Sequence, residues 1–107
     1  MSTQRLEQLL DMLKDSPDDA FLRFALAMEY DKLGQYSESL GAFLKLRETH
    51  PDYVGLYYHL GKRFERSGNL EGAEMSYKEG IEVAQRQGDK HALGELRAAL
   101  AALEDEG

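Results

Sequence analysis

An all-helical stack of repeated units is the fold this sequence predicts, and three observations carry that reading. One pattern occurs twice at a constant offset: Asp18, Leu22, Leu26, Gly34 and Glu48 return as Asp52, Leu56, Leu60, Gly68 and Glu82. Related residues fill the gaps, Phe24 with Tyr58, Tyr30 with Phe64 and Phe43 with Tyr77, while Pro17 and Pro51 mark the same phase. Apolar residues recur at intervals of three and four throughout, which is the period of a helix and not of a strand. Glycines 34, 68 and 88 close these runs, where a helix ends in the left-handed conformation. A unit this short cannot bury its apolar face alone, so its copies must stack.

The elements follow in order. Leu6, Leu9, Leu10 and Leu13 share one face of a first helix, with Glu7, Gln8, Asp11 and Lys14 opposite. A second helix is predicted from about Pro17 to Leu33. Proline is tolerated in a first turn, and Asp18 and Asp19 suit the positive end of the helix dipole. A third runs from about Tyr36 to Thr49. Pro51 opens the fourth, which Gly68 closes. The fifth spans about Leu70 to Gln87, and Asp89 caps a sixth whose Leu93, Leu96, Leu100 and Leu103 share a face. Six helices joined by turns this short leave no room for a strand, a linker or a second domain.

Composition narrows the function. The chain has 107 residues, enough for one domain, with a net charge of −7. The acidity is spread evenly, at −1 over 1–17 and −2 over each of 18–51, 52–85 and 86–107. No clustered basic stripe exists to hold nucleic acid or an anionic membrane. The absence of cysteine excludes disulfides, thiolate metal sites and a cysteine nucleophile. No stretch approaches the roughly 20 apolar residues of a membrane span. The first residues lead straight into an amphipathic helix and not into a signal segment, so a cytoplasmic protein is expected.

Segments 18–51 and 52–85 resemble tetratricopeptide repeats, a helix–turn–helix unit with the same period. The signature reads Tyr57, Leu60, Gly61, Phe64, Ala73 and Tyr77 in the second unit. In the first it reads Arg23, Leu26, Ala27, Tyr30, Ser39, Phe43 and Pro51. Segment 1–16 resembles the second helix of a preceding repeat, acting as an N-terminal cap, and 89–104 a first helix acting as a C-terminal cap. Arg23 replaces an aromatic, Gly80 stands where alanine is usual, and Gln85 replaces the closing proline. The last helix is one residue out of phase, since Leu93-Gly94 follows Leu60-Gly61 by 33 positions. The resemblance implies a single domain, a right-handed stack of antiparallel helix pairs in the form of an α-solenoid. It also implies close helix contacts at Ala27 and Gly61, filled by Phe43 and Tyr77.

Function follows from the same resemblance. The second helix carries a core stripe, Leu22, Leu26, Tyr30 and Leu33, and a nearly opposite stripe of Phe21, Phe24 and Met28. In the family the inner face of each first helix lines a concave groove for peptides. That geometry assigns Phe21, Phe24, Met28 and Asp31 to a groove, with Tyr58, Lys62, Glu65 and Arg66 from the fourth helix. The stripe has rival readings: core beneath the capping helix, or the seam of a homodimer. Family members that clamp acidic chaperone tails carry Lys and Asn where this chain has Phe24, Met28 and His59, so that clamp is absent.

Enzymatic readings find no support. The spacing of His50, His59 and His91 along the chain matches no zinc site. No glycine run resembles a phosphate loop. The cluster Lys62-Arg63-x-x-Arg66 reads as a solvated face or groove rim. The expectation is a non-catalytic module without cofactor or metal that binds a protein or peptide segment, with self-association as the alternative.

Overall fold

Local capping decides where each helix begins and ends. The structure is a computed structural model and describes residues 3–106. Those residues hold six helices and no strand: α1 (Gln4–Asp15), α2 (Ala20–Lys32), α3 (Tyr36–Thr49), α4 (Gly55–Arg66), α5 (Leu70–Gln87) and α6 (Lys90–Glu106). Among them no helix is long and apolar enough to cross a membrane. Gly34, Gly68 and Gly88 take φ of 78°, 80° and 68°, as the sequence predicts. Each lets the next N–H turn back to the preceding helix: Gln35 to Tyr30 O, Asn69 to Phe64 O and Asp89 to Ala84 O, at 2.9, 2.9 and 3.0 Å.

The helix starts differ from expectation at both prolines. α2 begins at Ala20, because the Asp19 carboxylate accepts the Leu22 N–H at 3.0 Å and so caps the helix. Pro17 lies in the turn before it, its carbonyl accepting from Arg23 Nε at 2.6 Å. Pro51 likewise sits in a turn, and α4 starts beyond it at Gly55. Proline suits a turn as well as a first helical turn, and a nearby side-chain acceptor settles the choice at α2. Asn69 and Asp89 cap α5 and α6 in the same way as Asp19, at 2.9 and 3.0 Å.

The chain divides into two compact units, the first ending at Tyr53 and the second beginning at Val54. In the first, α2 packs against α1 and α3. Its buried apolar residues are Leu6, Leu9, Ala27, Phe43 and Leu46. The expected four-leucine face of α1 is narrower than predicted, since Leu10 is 40 % exposed. Ala27 admits α3 closely enough for Ser39 Oγ to donate to the Ala27 carbonyl at 2.8 Å in the buried interior.

In the second unit, α5 packs against both α4 and α6. A Cβ at Gly61 would fall on the ring of Tyr77, which is fully buried. A Cβ at Gly80 would lie 2.5 Å from Tyr57 Cβ and 3.0 Å from Leu96. That explains why glycine replaces the usual alanine there: three helices meet at one point. Arg63 corrects an expectation, for it is 3 % exposed and belongs to the interior, not to a solvated basic face. Its counterpart in the first repeat, Glu29, is buried as well.

The Tyr77 hydroxyl donates to the Glu65 carboxylate. Burial, and then that hydrogen bond, push its pKa above the ordinary tyrosine value. The unfolded chain ionises this phenol near pH 10 while the folded chain holds it neutral. Folding stability supported by Tyr77 is therefore complete below about pH 10 and declines as pH rises beyond it. Denaturant melts from pH 8 to 11 should show a steeper loss for the parent than for Tyr77→Phe; parallel curves would refute the assignment. At the glycine contact, Gly61→Ala should destabilise by about 1–3 kcal/mol through overpacking. A thermal melt equal to the parent's would show that the contact is not close.

Candidate functional site

The apolar stripe of α2 is split by its neighbours. Phe21, one residue inside the helix start, is 64 % exposed. Phe24, one turn further, is half-buried. Its ring meets Phe43 of α3 edge-on at 6.3 Å and Tyr53 at 5.4 Å between centroids. Tyr53 follows the Pro51 turn, and burial together with the nearby Asp19 carboxylate pushes its hydroxyl pKa up. Phe24 thus joins an aromatic cluster while keeping part of its surface open.

Phe21, Phe24, Ala25 and Met28 line one side of a pocket of about 390 Å³, with Asp31 and Lys32 at its border. All four α2 residues singled out from the sequence, Phe21, Phe24, Met28 and Asp31, lie in this single depression. Their spacing of three, four and three puts them on one helical face. A depression of about 520 Å³ on α1 sets Leu10 among polar and charged side chains, Gln4, Glu7, Gln8, Asp11 and Lys14.

Two further residues complete the α2 pocket, and the sequence did not single them out. Arg5 reaches in from α1, and Glu29 lies beside it. Arg5 Nε stands 3.5 Å from Glu29 Oε1, with the arginine side chain 61 % exposed and the glutamate 7 %. A nearly buried carboxylate needs a cation, and Arg5 supplies it. The pair joins two different helices, α1 and α2, so no local spacing announces it. The one available signal was a carboxylate at the repeat phase that Arg63 occupies in the next unit.

In the second unit, Tyr58, Lys62 and Glu65 form a linked row along α4. Lys62 Nζ lies 5.5 Å from the Tyr58 ring centroid and 3.5 Å from Glu65 Oε2. The cation–π and ion-pair contacts hold the lysine over the helix. Tyr58 also meets His59 edge-on at 5.3 Å and Tyr77 at 6.5 Å. Arg66, the remaining predicted residue, is exposed at the helix end. This face is polar and charged where the α2 face is apolar.

The comparisons agree with this architecture. No protein-family model matches the chain. A curated Pseudomonas aeruginosa protein, described as a TPR repeat-containing protein, is 31 % identical over 99 residues, covering 92 % of this chain and 94 % of that protein. The crystal structure of a tetratricopeptide repeat domain protein from Salinibacter ruber is 45 % identical, with a TM-score of 0.80, covering 83 % of this chain and all of that one. The crystal structure of PcrH in complex with the chaperone binding region of PopD has a TM-score of 0.78 over 99 % of this chain and 96 % of that one. At 18 % identity it is alike in fold alone.

Three variants separate the roles on the α2 stripe. Phe21→Ser should leave stability within about 0.5 kcal/mol of the parent, as surface substitutions do. Phe43→Ser should cost about 3–5 kcal/mol. Phe24→Ser should fall between them, at about 2 kcal/mol, because it loses two ring contacts but only part of a buried surface. Thermal melts of the three rank them; Phe24 grouping with Phe21 would show that the aromatic cluster contributes nothing.

Proposed function

Because the chain belongs to the tetratricopeptide-repeat family, we propose that it is a non-catalytic adaptor that holds a peptide segment of another protein against the α2 pocket. The family's fold is a protein-interaction module. The observation that carries the reading is Phe21, an aromatic ring left 64 % exposed beside a pocket already walled by Phe24 and Met28. Exposed aromatic surface gains nothing in the free chain, and rings of this kind act as anchors when a partner buries them. PcrH, alike in fold, is described in complex with a segment of PopD, which supports the same mode of action here. The α4 face of Tyr58, Lys62, Glu65 and Arg66 offers a second contact surface, suited to polar groups. A cytoplasmic setting suits such an adaptor.

Self-association is the rival, since the same ring could meet a second copy. Selection of a random-peptide phage library on the immobilised protein should enrich binders whose affinity falls more than tenfold in Phe21→Ser. Sedimentation at micromolar concentration should give a monomer. No enrichment, or a tight dimer that Phe21→Ser dissolves, would overturn the adaptor reading.

A further inference from the structure

We propose that the α2 pocket selects a peptide carrying a carboxylate beside its apolar anchor, and that Arg5 is the residue that reads this carboxylate. The inference rests on the pocket's being a peptide site, and adds the chemistry of the segment it takes. Glu29 is the starting point. Its side chain is 7 % exposed, and a carboxylate so buried needs a compensating cation. The approach is through Arg5 Nε, at 3.5 Å from Glu29 Oε1. With 61 % of the arginine side chain exposed, the other N–H donors of the fork face solvent at the pocket wall.

A guanidinium fixed at one edge is pre-organised for a second carboxylate. The fork binds carboxylates in bidentate fashion, and the entropy of holding the side chain is already spent on Glu29. Phe21, Phe24 and Met28 stand in the same depression, so an apolar anchor seated there excludes water beside Arg5 and strengthens the ionic contact. Glu29 and Asp31 both line the pocket, so a ligand carboxylate gains only at the open side of the Arg5 fork, away from Glu29. Lys32 provides the internal control, a second cation at the border without a buried carboxylate to orient it.

The probe is an array of decapeptides with one central Phe and a single Glu, or its neutral counterpart Gln, placed in turn at each flanking position. Glu on one side of the Phe should bind the full chain about tenfold more tightly than Gln, the gain of one charge-assisted contact. Arg5→Gln should erase this preference while Phe-dependent binding persists, and Lys32→Gln should leave it intact. Arg5→Lys keeps a positive charge beside Glu29 but loses the fork; it should retain only a small part of the preference, and it replaces Arg5→Gln as the test if that variant fails to fold. Equal binding of Glu and Gln peptides, or a preference that survives both Arg5 variants, overturns the assignment and leaves the pocket standing as a peptide site. Absence of Phe-dependent binding to the parent overturns both readings.

Discussion

The approach of α5 to α4 at Gly61 fixes the geometry of the second unit. The Tyr77 ring occupies the space that a side chain at Gly61 would need. Held there, its hydroxyl reaches Glu65, Glu65 holds Lys62, and Lys62 lies over Tyr58. A contact made possible by one missing methyl group thus determines where a surface cation sits. Gly80 repeats the device one turn further along α5, where Tyr57 of α4 and Leu96 of α6 close in. The first unit reaches the same end with Ala27, and replaces part of the packing by the buried Ser39 hydrogen bond. Interiors packed to crystal-like density transmit such constraints instead of absorbing them.

The helical period then separates structure from recognition. In α2 and α4 the inward positions, Ala27 and Gly61 among them, are set by close contact. The outward positions repeat in phase but only partly in chemistry: Phe24 with Tyr58 and Asp31 with Glu65 keep their kind, whereas Phe21 gives way to Gly55 and Met28 to Lys62. Geometry is inherited from the repeat, whereas the chemistry each face presents is chosen residue by residue. Glu29 and Arg63 show a third behaviour, a buried charge at one phase in both units. At Glu29 that charge is not idle, since it orients an arginine at the pocket wall.

What the sequence disclosed follows the range of the forces involved. The glycine helix ends were legible because positive φ is a local demand that few other residues meet. The α2 stripe was legible because spacing of three and four needs no knowledge of neighbours. Pro17 and Pro51 misled, as proline is compatible with a first helical turn and with the turn before it. The half-burial of Phe24 depends on Tyr53, delivered by the turn that follows α3, and the Arg5–Glu29 pair joins two helices. Contacts of that range leave no periodic trace. Arg63 was misjudged for the same reason, since a basic residue among basic neighbours reads as surface until packing places it inside.

Charge acts on this protein at two scales. The chain as a whole carries −7, spread along its length, so its far field disfavours an acidic partner. At physiological salt that field is screened beyond about 8 Å, and encounter is slowed without being prevented. Beside the α2 pocket the charges balance, Arg5 and Lys32 against Glu29 and Asp31, and Glu29 holds Arg5 at a wall made of Phe21, Phe24 and Met28. A carboxylate gains from Arg5 only after an apolar group has seated and displaced water; an acidic segment without an anchor meets repulsion and nothing to offset it. An apolar segment without a carboxylate gains burial but leaves the arginine fork to solvent. A pocket that requires both features together is selective with few contacts, since each wrong ligand lacks one term of the free energy.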